Sequence, residues 1–69
     1  MKQIENKKRY PNLFAQMIIH NENYEKIGHL LNRTKSAVGR RMNGEVAWEI
    51  DDIKILCEHY EKTFEELFC

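Results

Sequence analysis

Apolar side chains recur along this chain at the three- and four-residue spacing of helices, without the strict alternation that marks strands. Pro11 suits a first helical turn, because the amide hydrogen that proline lacks would have no partner there. After it, Leu13, Phe14, Met17 and Ile18 share one helical face. The pattern predicts a first helix with this face in the core.

A second and a third short helix are predicted from polar residues that favour helix ends. Asn23 is a typical N-cap, and Asn32 tolerates the left-handed conformation in which helices often stop. Thr34 is predicted to cap the next helix, which runs to Met42 and ends at Asn43-Gly44. That dipeptide also suits a hairpin turn, but no alternating strand pattern flanks it. We therefore expect a helix here and no hairpin.

A fourth helix is indicated by apolar residues at helical spacing after a short loop: Ile50, Ile53, Leu56, Cys57 and Tyr60. Asp51 and Asp52 lie favourably near its positive N-terminal end. Thr63 and Glu66 have the spacing of a capping box before a brief terminal helix with Phe64, Leu67 and Phe68. Trp48, in the preceding loop, is expected to anchor that loop on the core. The sequence thus predicts an all-α bundle of four to five short helices.

Charge is divided unevenly between the two parts of the chain. The net charge is zero, with 11 basic and 11 acidic side chains. Residues 1–41 hold nine Lys or Arg and three Glu, a net charge of +6, whereas residues 42–69 hold two Lys and eight acids, a net charge of −6. Such a dipolar protein would turn its positive half toward phosphates. We interpret residues 1–9 as a flexible basic arm and residues 10–69 as one folded domain.

Several classes of protein are not expected from this sequence. The apolar runs are far shorter than the roughly 20 residues that cross a bilayer, and no secretory or transit segment opens the chain. The histidines and the two cysteines, Cys57 and Cys69, lack metal-ligand spacing, so no metal or cofactor is expected. No residues suggest an enzyme site. A cytoplasmic protein with free thiols is the expectation.

The stretch Tyr24–Asn43, YEKIGHLLNRTKSAVGRRMN, resembles a helix-turn-helix, in which the second helix lies in the major groove of DNA. Gly28 is small enough for the place where the two helices cross, and Asn32 suits the turn between them. Val38 is the apolar residue that anchors the second helix. Together with YPNLFAQM, RRMNG and FEELF, this stretch makes residues 11–68 similar to the Cro and phage-repressor family, especially its short members from Gram-positive phages and prophages. That resemblance implies a lambda-repressor-like DNA-binding fold.

The resemblance also implies roles for individual residues. It assigns base reading to Lys35, Ser36 and Arg40. It assigns phosphate contacts to Tyr24, Thr34 and Asn43. Side-chain chemistry agrees, since Arg and Lys donate to guanine and Ser bonds to several bases. Further salt-sensitive attraction is expected from Lys26, Arg33 and Arg41. The arm residues that could follow the DNA backbone or enter a minor groove are Lys7, Lys8 and Arg9.

The chain departs from the family's pattern at four positions. Tyr24 stands where Gln is common, and Arg33 where an aliphatic residue is common. Arg41 occupies a place that is often apolar. Gly39 weakens the third helix by about 1 kcal/mol relative to Ala, so it suggests a close approach to DNA or to a neighbouring helix.

The sequence therefore predicts a sequence-specific transcriptional regulator, a Cro-like repressor that binds a palindromic operator through residues 34–42. Binding as a homodimer on DNA is expected, because one small module covers few base pairs. Two other functions stay open. The same fold could bind another protein, as an antirepressor or a phage-encoded inhibitor, or it could be the antitoxin of a toxin pair.

Overall fold

The computed structural model describes residues 9–69, and within this range it contains five helices and no strand. The helices are α1 (Pro11–Ile19), α2 (Tyr24–Leu31), α3 (Lys35–Met42), α4 (Ile50–Tyr60) and α5 (Phe64–Phe68). The prediction of an all-helical fold is confirmed. The helix boundaries also agree with the predicted start and stop signals.

The predicted capping residues fix where the helices begin. Asn23 Oδ1 accepts a hydrogen bond from a first-turn backbone N–H of α2 at 2.8 Å, and Thr34 Oγ1 accepts one in α3 at 3.1 Å. At α5, Thr63 Oγ1 accepts from the N–H of Glu66 at 3.1 Å, and Glu66 Oε1 accepts from the N–H of Thr63 at 2.8 Å. Each bond satisfies an amide group that has no acceptor within its helix.

Gly28 allows α2 and α3 to be joined by a very tight turn. A Cβ built on Gly28 would lie 2.5 Å from the carbonyl oxygen of Arg33, which is too close for any side chain. The N–H of Arg33 donates to the Gly28 carbonyl at 2.7 Å. Asn32, between them, adopts the predicted left-handed conformation with a φ of 59°. Position 28 therefore has to be a glycine in this arrangement.

The core lies between all five helices, and each helix contributes at least one buried apolar side chain. These residues are Leu13, Met17, Ile27, Leu31, Val38, Met42, Leu56, Tyr60 and Leu67. Val38, predicted as the apolar anchor, is fully buried, and so is Met42. They hold the inner side of α3 against the other helices.

Two isoleucines predicted to face the core lie at the surface instead. Ile18 is 62% exposed and Ile50 is 71% exposed. On α1 the buried residues are Leu13 and Met17, and the residue after Met17 points about 100° away. On α4 the buried face begins with Asp52, which is 3% exposed. A carboxylate thus occupies the place where the apolar pattern suggested an isoleucine.

Three aromatic rings join the start of α1, the loop before α4 and the end of α5. The ring centroids of Tyr10, Trp48 and Phe68 lie 5.7 to 6.3 Å apart, in edge-to-face pairs. Phe64 stacks on Phe68 at 5.4 Å. The prediction that Trp48 anchors its loop on the core is confirmed.

Alanine at the two helical glycines is expected to change stability in opposite directions. Gly28→Ala displaces the Arg33 carbonyl, and overpacking of this kind lowers the free energy of unfolding by about 1 to 3 kcal/mol. At Gly39 a new Cβ would lie 3.6 Å from the Tyr24 ring, an ordinary contact. Alanine there favours the helix by roughly 1 kcal/mol. Urea denaturation measures both changes, and an undiminished stability of Gly28→Ala would contradict the tight turn.

Candidate nucleic-acid interface

The outer face of α3 carries the three residues predicted to read bases. Lys35, Ser36 and Arg40 are all exposed. Ser36 and Arg40 are four residues apart and therefore lie one above the other on the helix, with Lys35 in the first turn. Because the opposite side of α3 is buried, the helix offers this one face to solvent in a fixed orientation.

Three further residues predicted to contact phosphate are exposed at the ends of the two helices. Lys26 lies in the first turn of α2, Thr34 caps the start of α3 and Asn43 follows its end. Thr34 Oγ1 accepts the N–H of Ala37, so its hydroxyl hydrogen is left to donate outward. The Asn43 amide supplies two donors. These groups suit an anionic ligand at either end of α3.

Arg9 lies next to the C-terminal end of α3. A Cβ built on Gly44 would be 3.1 Å from Arg9 Nη1 and 3.3 Å from its Cγ, so the Arg9 side chain lies across this glycine. Since Gly44 directly follows Asn43, the guanidinium of Arg9 lies close to a residue that is predicted to contact phosphate. The other two predicted arm residues, Lys7 and Lys8, lie outside the described residues.

Arg41, predicted to contact phosphate, lies inside the protein, and that prediction is corrected. The residue is 8% exposed, and its Nη1 donates to the carbonyl oxygen of Ala37 at 3.0 Å. Its Nε lies 3.7 Å from Oδ2 of Asp52. The signal available for its burial was its three-residue spacing from Val38, which places it on the inner side of α3.

Arg33, predicted to attract phosphates, is bound by two carboxylates of the same chain. Its Nε donates to Oδ1 and Oδ2 of Asp52 at 3.0 and 3.2 Å, and its Nη2 donates to Oε1 of Glu49 at 3.0 Å. The hydrogen bond with Asp52 raises the pKa of Arg33 above its ordinary value. The charge of Arg33 is therefore balanced within the protein.

Asp52 connects both arginines to the start of α4. Besides its contacts with the guanidinium groups, its Oδ2 accepts the backbone N–H of Glu49 at 3.2 Å. One buried carboxylate thus ties together the α2–α3 turn, α3 and α4. Sequence reasoning placed Asp52 by the helix dipole alone and missed this network. The available signal was its four-residue spacing from Leu56, which continues the buried stripe.

Tyr24 packs between helices, and its predicted phosphate contact is corrected as well. Its ring carbons lie 3.6 Å from the place of a Cβ on Gly39, and its hydroxyl oxygen is buried. A phosphate at the surface is out of reach of this oxygen. A Cβ at position 39 would make only an ordinary contact with this ring, so the packing of α2 against α3 does not require a glycine there.

A second polar cluster joins the loop after α1 to the end of α4. The Tyr60 hydroxyl donates to Glu22 Oε1 at 2.6 Å, and His59 Nε2 lies 2.7 Å from Glu22 Oε2. Partial burial opposes the ionisation of Glu22, but the hydrogen bonds from Tyr60 and His59 outweigh it and lower the Glu22 pKa. Burial, together with the bond to Glu22, raises the pKa of Tyr60. A separation of 37 and 38 residues left no local signal for this cluster.

Within residues 9–69, no three His, Cys, Asp or Glu side chains are grouped as metal ligands. Cys57 and Cys69 are free thiols, and burial raises the pKa of Cys57. The backbone hydrogen bond from Thr63 lowers the pKa of Glu66. None of the five helices described is long and apolar enough to cross a membrane.

No family model matches the chain, and no curated protein or solved structure is significantly similar to it.

Glu22→Gln is expected to lower stability at neutral pH and to reduce its dependence on pH in the acid range. Folding lowers the Glu22 pKa, so its contribution is complete above the ordinary value of 4.5 and is lost as pH falls through the folded-state pKa. We expect a deficit of about 1 kcal/mol near pH 7 that shrinks toward pH 3. Urea denaturation at both pH values measures it.

The matched control for Glu22→Gln is Glu25→Gln, which removes an exposed acid in the first turn of α2. This control should not show the same loss between the two pH values. A deficit in Glu22→Gln that stayed constant with pH would contradict the assigned role of its ionised form.

Proposed function

We propose that this protein is a sequence-specific, duplex DNA-binding transcriptional regulator, a Cro-like repressor whose helix-turn-helix consists of α2 and α3. The observation that carries the proposal is the division of α3 into two sides. Lys35, Ser36 and Arg40 are exposed on the outer side, while Val38 and Met42 bury the inner side. A helix fixed in this way presents a defined row of hydrogen-bonding groups, as base recognition in the major groove requires.

In this proposal α3 enters the major groove, and Arg40 makes the most selective contact. Its guanidinium donates two hydrogen bonds to O6 and N7 of a guanine, a contact worth about 1 to 3 kcal/mol of discrimination against other bases. Lys35 donates to the same type of acceptor with less directional preference. Ser36, on the same face as Arg40, bonds to several bases and refines the choice.

Phosphate contacts set the position of α3 without reading sequence. Thr34 and Asn43 supply neutral donors at the two ends of the helix, while Lys26 and Arg9 supply salt-sensitive attraction. Residues 42–69, with their net charge of −6, are repelled by the DNA backbone. The charge distribution therefore favours approach with α3 toward DNA.

We also propose that two copies bind a palindromic operator together. One α3 spans only a few base pairs, which is too short a site to be selective within a genome. Two helices in successive major grooves on one face of the duplex would double the length of sequence that is read.

Binding of another protein is a second candidate function, of the kind performed by an antirepressor, an inhibitor or an antitoxin. The observation that favours it is exposed apolar surface at the end of α1, where Ile18 and Ile19 are 62% and 69% exposed. Ile18 borders an open hollow of about 370 Å³ whose lining includes Phe14, Met17 and Tyr24. Apolar surface of this kind commonly marks protein interfaces.

Selection of bound duplexes from a random-sequence library distinguishes the two candidates. With the purified protein, at low and then near-physiological salt, we expect enrichment of one sequence class. Failure to enrich any sequence would contradict operator binding and favour the protein-binding candidate.

Arg40→Ala is expected to lower affinity for the enriched site by about 1 to 3 kcal/mol, which is roughly 5- to 150-fold, and to relax preference at one base position. Because Arg40 is exposed, the melting temperature should not change. Lys54→Ala, which removes an exposed cation from α4, is the matched control and should keep the preference. Unchanged selectivity of Arg40→Ala would refute base reading by this residue.

Binding of two copies predicts that the enriched sequence is an inverted repeat with half-sites about one helical turn apart. An isolated half-site should then bind at least about tenfold more weakly than the full site, because half of the contacts are lost. Fluorescence anisotropy with the two duplexes measures this ratio. Equal affinity for both would show that a single copy suffices.

A further inference from the structure

Two arginines close to α3, one in the turn before the helix and one on its inner side, are held by carboxylates of the same chain. Arg33 lies one residue before the cap of α3 and contacts both Asp52 and Glu49 at 3.0 Å. Arg41 lies directly after Arg40, and its side chain is 10% exposed beside Asp52. Of the basic side chains in α3 and its preceding turn, Lys35 and Arg40 therefore remain exposed and outside this ion-pair network.

We propose that Asp52, assisted by Glu49, is a positioning residue that keeps Arg33 and Arg41 from binding DNA phosphates and thereby limits the sequence-independent affinity for DNA. This inference rests on the proposed DNA-binding function. Each free cation at the interface strengthens binding to any duplex, whatever its sequence, by releasing counterions from the phosphates. Withholding two cations lowers non-specific affinity and leaves the base contacts of Arg40 intact. Binding to DNA of any sequence is thereby kept weak, and discrimination between sequences is left to the base contacts.

The position of Asp52 in the core supports a role beyond stability. Asp52 begins the buried stripe that Leu56 and Tyr60 continue. An apolar residue would fill this place without the cost of removing a carboxylate from water, and buried ion pairs often contribute no net stability compared with apolar replacements. A carboxylate here does what an apolar residue does not, because it accepts hydrogen bonds from Arg33 and from the N–H of Glu49 and lies 3.7 Å from Nε of Arg41.

Arg33 is the cation that would be released most readily. Its side chain is 23% exposed, whereas that of Arg41 is 10% exposed and also donates to the Ala37 carbonyl. Loss of the Asp52 charge would leave Arg33 with Glu49 alone, and the side chain of Glu49 is 67% exposed. Arg33 would then turn toward a phosphate at the edge of α3.

The test measures affinity for a duplex of random sequence as a function of salt, in the wild type and in Asp52→Asn. One added phosphate contact per bound chain steepens the log–log salt slope by about 0.9 and tightens non-specific binding roughly five- to tenfold at 0.1 M salt. Asp51→Asn is the matched control, since it removes the same charge from an exposed neighbour that forms no ion pair among the described residues. Its slope should equal that of the wild type.

If Asp52 had only a structural role, its replacement would damage the fold and weaken DNA binding. The expected gain in affinity for random-sequence DNA is therefore not produced by such a role. Circular dichroism checks that Asp52→Asn is folded. If it is not, Glu49→Gln removes the exposed partner of Arg33 and should steepen the slope in the same direction by a smaller amount.

The possible outcomes separate this inference from the function on which it rests. A wild type that binds DNA, together with folded Asp52 or Glu49 variants whose slopes match that of Asp51→Asn, would overturn the inference alone. A wild type and variants that all fail to bind any duplex would overturn the proposed function and the inference together.

Discussion

The orientation of α3 depends on the contact between the backbone of α2 at Gly28 and the carbonyl of Arg33. This contact fixes the backbone of Arg33 and thereby the direction of its guanidinium toward Asp52. Asp52 in turn contacts Arg41 on the inner side of α3. A small shift of the turn would leave a nearly fully buried carboxylate short of a partner, which typically costs about 3 to 5 kcal/mol. The steric constraint at Gly28 thus influences the position of α3 through the ion pairs of Asp52 with Arg33 and Arg41.

Neighbouring arginines in α3 have opposite environments. Arg40 is exposed, and Arg41, about 100° further around the helix, is buried against a carboxylate. The number of basic residues in a helix is therefore a poor measure of the positive charge that it presents to a ligand. In this chain, two of the arginines that contribute to the basic character of residues 1–41 balance acids of residues 42–69, so part of the charge separation in the sequence is cancelled in the fold.

Features that depend on residues within about four positions could be predicted from the sequence. The caps Asn23, Thr34 and Thr63 satisfy amides one turn away, and Asn32 adopts its left-handed conformation because of its own side chain. Which apolar residue of α1 is buried was harder to predict, and the sequence pattern wrongly placed Ile18 in the core. Several residues of α1 are apolar, and only packing against the other helices decides which of them is buried.

Contacts between distant residues were beyond sequence reasoning for a different reason. Arg41 and Asp52 lie on separate helices, and each was interpreted by its general chemistry, the one as a surface cation and the other as a partner of a helix dipole. The side chains on the outer face of α3 were easier to place. Once Val38 and Met42 are assigned to the core, helical geometry alone puts Ser36 and Arg40 on the outer side.

The ring contacts of Tyr10, Trp48 and Phe68 have a consequence for the synthesis of the protein. α5 has five residues, far fewer than an isolated helix needs in water. It is held by side chains that lie far away in the chain, and its own Leu67 is buried in the core. While Phe68 is still inside the ribosome, the nascent chain lacks this closing contact. The core of this domain is therefore complete only after its shortest helix has emerged.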